Sequence, residues 1–322
     1  MEAVVLAGGY ATRLWPVTKQ RPKMLLPVGG TTVIDRIFEQ LEADDRIDTV
    51  YVSTNERFAD DFRAHLAASP FELPQLSVEE TTEEAEKFGV IGALAQLFER
   101  EGIDDDTLVV AGDNLLSFEL ADFLDFFERR GTAALAAYDV GSRERARSYG
   151  VVALEDERVV DFQEKPSNPK STLVSIACYG FPAETLPEVD AYLADDNNPD
   201  EPGWFVQWLY QHEPVHGFTF DGAWFDIGTP ESYLDAVAWT LDGANLVAET
   251  ATLTDTTLGE NVHVMDGATV VDSHLDRSLV FPDATVVDCD LRGSIIDEDT
   301  RIESLDLNEA LIGAHTQISN GP

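Results

Sequence analysis

The chain has 322 residues, 44% of them hydrophobic, and carries 61 Asp plus Glu against 21 Lys plus Arg, a formal net charge of −40. The apolar content excludes a disordered chain and supplies a sizeable core, in keeping with two domains rather than one. The negative field excludes nucleic acid as a partner, because such binding relies on neutralising phosphates, and no segment reaches the ~20 apolar residues of a membrane helix.

The acids are spread along the chain, and lysine occurs only at positions 19, 23, 87, 165 and 170. A dispersed acidic surface reads as adaptation to a salty cytoplasm, such as a halophile's. The opening "MEAVVLAGG" is too short and too early charged for a signal peptide. Cys178 and Cys289 lie far apart and form no disulfide or zinc pattern. The expectation is a cytoplasmic protein that makes no use of membrane or nucleic acid.

The first predicted element is the apolar run Ala3–Ala7, ending in Gly8-Gly9. It predicts a strand buried on both faces, as in a parallel sheet. Ile34, Ile37, Phe38 and Leu41 follow at helical spacing. "TVYVST" (49–54) reads as a second strand, and "ERFADDFRAHLAAS" as a helix with Phe58, Phe62 and Leu66 on one face. "TLVVAGDN" (107–114) is a buried strand ending in polar residues; "AALAAYDV" and "YGVVALED" are further strands. This alternation predicts an α/β domain with a mostly parallel sheet, and ligands at the carboxyl ends of its strands. Gly8-Gly9 and Asp113-Asn114 occupy such ends.

Past residue 245 helical periodicity stops and a repeat begins. Val270, Val286, Ile302 and Ile318 are sixteen apart, as are Leu275, Leu291 and Leu307, and Leu279, Ile295 and Leu311. A looser unit covers 255–270. Short aliphatic steps with Gly, Asp and Asn at the corners predict a β-solenoid whose coils bury aliphatics against one another.

The stretch Ala3–Ile34 contains no acid, yet it carries Arg13, Lys19, Arg21 and Lys23. A phosphate ligand of so acidic a protein needs a locally basic pocket. A Gly-Gly turn after a buried strand lets a phosphate approach backbone N–H groups, and arginine can grip its oxygens in a bidentate way. The segment is neither a Walker A loop nor a Rossmann fingerprint. Lys19 and Arg21 read as electrostatic background to the site.

"LAGGYATRLWPVTKQRPKMLLPV" closely resembles the signature of the sugar-1-phosphate nucleotidyltransferases, the nucleoside-diphosphate-sugar pyrophosphorylases, and the resemblance extends over about residues 1–240. One departure is Ala11, where the family has a glycine. An alanine there strains the loop if φ is positive. "FGVIGAL" (88–94) resembles the base-reading loop, with Gly89 kept and Val90-Ile91 altered. "VVAGDN" resembles the metal-binding strand end, "YGVV" the sugar-contacting turn, "FQEKP" the sugar-phosphate motif, and "WFDIGTPESYLDA" the closing motif.

The resemblance implies a Rossmann-like nucleotidyltransferase domain over 1–244, and a left-handed β-helix of hexapeptide type over 245–322. It implies a reaction of a nucleoside triphosphate with a sugar 1-phosphate. Arg13, Lys23, Asp113, Lys165 and Asp226 would be catalytic. Leu6, Ala7, Gly8, Gly9, Arg13, Lys23, Gly89 and Asp113 would bind the nucleotide, and Gly150, Glu164 and Lys165 the sugar phosphate. Asp113 and Asp226 would hold Mg²⁺ as cofactor. Read on their own, each of those two acids could be a surface residue of an acidic protein, but both are flanked by apolar neighbours. Lys165 stands out in a chain that avoids lysine. The pattern is nearest glucose-1-phosphate thymidylyl- or uridylyltransferase, then mannose-1-phosphate guanylyltransferase; a catalytically silent regulatory subunit is the rival. His263, His274 and His315 of the repeat read as surface residues, and the solenoid's exposed coil ends point to a homo-oligomer.

Overall fold

The computed structural model describes residues 1–79 and 89–320 and comprises two compact units, Met1–Gly9 with Arg36–Trp224 and Tyr10–Asp35 with Phe225–Pro322. The first unit is built on a nine-stranded sheet. In chain order its strands are β1 (Glu2–Leu6), β2 (Thr49–Asn55), β3 (Pro74–Glu79), β4 (Thr107–Ala111), β5 (Ala133–Asp139), β6 (Gly150–Glu155), β7 (Arg158–Glu164), β8 (Leu173–Phe181) and β9 (Val215–Thr219). They lie in the order β3-β2-β1-β4-β8-β5-β9-β7-β6.

The sheet is parallel from β3 through β4 and again between β5 and β9. β8 runs antiparallel to both its neighbours, and β6–β7 form an antiparallel hairpin. The apolar runs account for the parallel part: Ala3, Val4, Val5, Leu108, Val109 and Val110 are fully buried, as strands covered on both faces must be. Helices α1 (Val33–Glu42), α2 (Ala59–Ala68), α3 (Gly89–Glu101) and α4 (Leu120–Arg130) follow in alternation, and α5 (Leu186–Ala194) and α6 (Pro202–Leu209) come after β8. One core cluster joins Ile91, Leu94 and Leu97 of α3 with Val109, Leu135, Phe162, Tyr179, Tyr192 and Phe205.

In the second unit, helix α7 (Pro230–Leu241) leads to a parallel β-helix of three ladders. Its first strand, Leu246–Val247, begins ahead of the looser unit expected at 255. The first step is seventeen residues, from Leu246 to His263, and the following ones are sixteen. Val270, Val286, Ile302 and Ile318 stack in one column, as the spacing predicts. Val264, Val270, Leu275, Val280, Val286, Leu291, Ile296 and Ile302 are fully buried in its core. The corners require left-handed backbone, with Asp272, Asp288 and Ser304 at φ of 48°, 53° and 56°, and Asp283, Asp299 and His315 at 58°, 51° and 58°. Short polar side chains tolerate that region best. Among the described residues, no helix is long and apolar enough to cross a membrane.

Candidate active site

In the first unit, Leu6 of β1 lies opposite Ala111 of β4, and Gly112 donates its N–H to the Leu6 carbonyl at 2.9 Å. Gly8 and Asp113 therefore leave neighbouring strands at the carboxyl edge of the sheet. The end of β2 holds the turn: Thr54 Oγ1 donates to the Ala7 carbonyl at 3.2 Å and Asn55 Nδ2 to the Gly8 carbonyl at 2.9 Å. Ala7 also donates its N–H to Ser53 at 2.7 Å, so its backbone is committed to the sheet. Neither Gly8 nor Gly9 has a positive φ, and a Cβ on Gly8 would make only an ordinary contact, 3.5 Å, with Oε1 of Glu79, the last residue of β3. Asp113 is 9% exposed. Its neighbour Asn114 is turned to a structural use, donating from Nδ2 to the Ile176 carbonyl.

Gly89 opens α3 at φ +74°, and a Cβ there would lie 2.3 Å from the Pro199 carbonyl oxygen. The N–H groups of Val90 and Ile91 donate to Asp200 and Pro199 at 3.4 and 2.9 Å. That crossing of two backbone segments by itself requires glycine. Phe88, the first residue of "FGVIGAL", lies outside the described residues.

Glu164 ends β7 with its side chain buried, and its N–H donates to Gln207 Oε1 at 2.9 Å. A Cβ on Gly203 would lie 1.6 Å from Glu164 Oε2, and one on Gly150 2.8 Å from the same oxygen. The carboxyl group therefore rests against two glycine α-carbons. Burial pushes its pKa up to about 7; adjacent Lys165 opposes that shift and Glu201 adds to it. Lys165 pairs with Glu201 and holds a left-handed backbone, φ 42°. Such strain in a long side-chain residue is a mark of functional loops. The structure thus gathers Gly150, Glu164 and Lys165.

In the second unit, Arg13 and Asp226 meet around Gly228. A Cβ on Gly228 would lie 2.8 Å from Arg13 Nη2 and 3.5 Å from Asp226 Oδ1. The loop is fixed by a capping box at the start of α7, where Thr229 and Ser232 hold each other's backbone N–H groups. Gly228→Ala is expected to push the guanidinium aside while leaving the fold intact, since only the end of a flexible side chain must move. Should Arg13 grip a substrate phosphate, the displacement is expected to cost activity on the order of 10²-fold, checked by steady-state kinetics beside an unchanged melting temperature. Lys23 opens the turn Lys23–Leu25 and is half-buried.

Ala11 has φ 47° and ψ 45°. The left-handed region costs alanine about 1–2 kcal/mol, against about 0.5–1 kcal/mol of chain entropy that a glycine forfeits. Ala11→Gly should therefore stabilise the protein slightly, by up to about 1 kcal/mol, read as a raised urea midpoint.

Two readings need correction. Arg21 is not background charge: its guanidinium is bound to Asp297 and Glu298 of the solenoid at 3.1 and 2.8 Å. His263 is not a surface residue, being 6% exposed within the solenoid. His274 and His315 do face solvent, beside Asp290 and Asp299.

Glu79, Glu201, Gly203 and Gln207 escaped the sequence reading. For Gly203 a signal existed, a glycine opening the apolar helical run "GWFVQWL" directly after Pro202. Among the described residues, no group of three or more His, Cys, Asp or Glu is arranged to hold a metal. A metal that travels with nucleotide phosphates needs only one or two protein carboxylates, with phosphate and water as its other ligands; Asp113 in the first unit and Asp226 in the second are each, taken singly, the kind of oxygen donor such a metal accepts.

A family model described as nucleotidyl transferase matches residues 2–243. The chain is 30% identical over 249 residues to the bifunctional protein GlmU of Methanocaldococcus jannaschii, covering 76% of this chain and 55% of that one. It is 32% identical over 236 residues to a Sulfolobus acidocaldarius protein provisionally named mannose-1-phosphate guanyltransferase, covering 73% and 61% respectively. The chain thus spans little more than half the length of these curated relatives. A solved structure from Bacillus anthracis, provisionally titled glucose-1-phosphate thymidylyltransferase and crystallised with sucrose, shares the fold. Its TM-score is 0.65 at 24% identity, over 75% of this chain and 96% of that one.

Proposed function

The chain belongs to the nucleotidyl transferase family, and on that premise we propose that it joins a nucleoside triphosphate to a sugar 1-phosphate, releasing pyrophosphate. The observation that carries the reading is the meeting of Arg13 and Asp226 around Gly228. It sets a cation suited to phosphate oxygens beside a carboxylate suited to a hard metal ion, in a loop that adjoins an acid-free segment of a highly acidic protein.

An oxygen of the sugar phosphate attacks the α-phosphorus in line. The bond from that phosphorus to the β-phosphate bridge oxygen breaks, and pyrophosphate leaves with the electron pair. The nucleophile is already anionic, so no general base is required. Catalysis is positioning plus charge neutralisation, and positioning two phosphates can supply up to ~7–11 kcal/mol. Arg13 and the Gly8-Gly9 backbone hold the triphosphate, with Leu6, Ala7 and Gly89 beside the nucleoside. Lys23 neutralises developing charge. Lys165 holds the incoming phosphate, while Glu164 and Gly150 contact the sugar. Asp113 and Asp226 are the proposed ligands of Mg²⁺, which when bound offsets negative charge on the phosphates.

The proposed pair is glucose 1-phosphate with dTTP or UTP. The test is a screen of the nucleoside triphosphates against glucose, mannose and N-acetylglucosamine 1-phosphates, followed by pyrophosphate release in molar KCl with Mg²⁺. Release confined to GTP with mannose 1-phosphate would move the assignment to guanylyl transfer. The left-handed Ala11 favours a second reading, a silent regulatory subunit, which nucleotide binding without turnover for any pair would support.

Further parts of the proposal rest on sequence. A nucleotidyltransferase domain of 1–244 is followed by a β-helix of 245–322, left-handed as in the family. The protein works as a homo-oligomer through the exposed ends of its solenoid coils, in a saline cytoplasm to which its acidic surface is suited.

A further inference from the structure

We propose that the solenoid positions the phosphate-binding segment, with Arg21 as the positioning residue between them; this rests on the assignment of Arg13 and Lys23 to the triphosphate. Arg21 Nη2 lies 3.1 Å from Asp297 Oδ1 and 2.8 Å from Glu298 Oε2, and the guanidinium stands over the Phe281 ring at 5.1 Å. Pro16 abuts the next coil, where a Cβ on Gly313 would lie 2.5 Å from Pro16 Cγ. Tyr233 of α7, fully buried, donates its hydroxyl to the Pro27 carbonyl at 2.8 Å. Leu246 of the first coil comes within 3.6 Å of a Cβ built on Gly30. These contacts fall before and after Lys23, along one continuous segment.

The repeat itself records the contact. Phe281, Asp297 and Gly313 are sixteen residues apart and occupy one position of the coil, with Met265 below them. The preceding position reads Val264, Val280, Ile296, Ile312, a uniform aliphatic column. Packing within the solenoid keeps that column uniform. The next column varies from methionine to phenylalanine to aspartate to glycine, and three of its four members are those that meet Arg21 or Pro16. A column fitted to an outside surface, rather than to its own neighbours, loses the repeat in this way. Asp297 is 1% exposed, and a buried carboxylate needs a partner; Arg21 provides it. One of the four cations in the acid-free segment is therefore spent on the solenoid and withdrawn from the ligand.

The test uses the full chain with Arg21→Gln, Arg21→Lys and Asp297→Asn. Arg21→Gln is expected to raise KM for the nucleoside triphosphate about tenfold while KM for the sugar 1-phosphate stays within about twofold. Arg21→Lys should recover most of the loss, and Asp297→Asn should shift the same constant in the same direction. Hydrogen exchange of the amides of residues 17–28 should speed up in Arg21→Gln and Asp297→Asn. Unchanged nucleotide KM and unchanged exchange would overturn the proposal. So would a parallel rise in both KM values tracking a lowered melting temperature, with no recovery by lysine. If Arg21→Gln does not fold, Asp297→Asn, which leaves Glu298 to pair with Arg21, carries the same comparison. Should the wild-type protein release no pyrophosphate with any pair, the catalytic reading falls, and the exchange measurement still decides the clamp.

Discussion

Gly203→Ala should disable the sugar-phosphate end of the site. The new Cβ would lie 1.6 Å from Glu164 Oε2 and 2.5 Å from Glu164 Cδ, so the carboxyl group must move by more than an ångström. It has little room to do so, because Glu164 is buried and the same oxygen lies 2.8 Å from where a Cβ on Gly150 would stand. Overpacking of this kind costs about 1–3 kcal/mol of stability. With Glu164 contacting the sugar as proposed, displacing its carboxylate by that distance costs on the order of 10²-fold in kcat/KM. The loss should fall on KM for the sugar 1-phosphate, with KM for the nucleotide little changed. Thermal unfolding and two-substrate kinetics on the same preparation separate the two effects.

The second large effect is a pH dependence centred on Glu164. Its pKa is raised from 4.5 to about 7 by burial. Below pH 4.5 the folded and unfolded chains both carry this proton. Between 4.5 and 7 the unfolded chain releases it and the folded chain keeps it, so stability falls as pH rises across that window and levels off above it. The shift corresponds to on the order of 3 kcal/mol in total. Glu164→Gln should remove this slope, and the difference between wild type and variant isolates it from the general repulsion of a −40 protein. Sugar binding should show the opposite trend. An ionised carboxylate accepts two hydroxyls, so KM for the sugar 1-phosphate should fall as pH rises through 7. The variant should keep only the titration of the substrate's own phosphate, near pH 6. An unaltered stability slope in Glu164→Gln would show that this group is not the one titrating.

Much of this arrangement was legible in the residues. Ala3–Ala7 and Leu108–Ala111 are apolar without interruption, and they mark the strands Glu2–Leu6 and Thr107–Ala111, beyond whose ends Gly8 and Asp113 stand. The sixteen-residue columns are strand pairs of the solenoid because identical spacing lets each coil bury its aliphatics on the last. What escaped depends on contacts between segments distant in sequence. The antiparallel entry of β8 between β4 and β5 depends on pairing across the sheet, and no periodicity records it. Gly203 matters only because a distant carboxyl group reaches its α-carbon. Arg21 looked like one more cation of a basic stretch until the solenoid supplied its partners, and the clue lay in a break of the repeat at Phe281, Asp297 and Gly313.

The most direct test of the central claim is pyrophosphate release by the wild-type protein and by Asp113→Ala, each with Mg²⁺ in molar KCl and with the best substrate pair from the screen. The account predicts release that requires both the triphosphate and the sugar 1-phosphate, and a loss on the order of 10²-fold or more in the variant, whose melting temperature stays close to wild type. Equal rates for the two proteins, or release that does not depend on the sugar 1-phosphate, would contradict it.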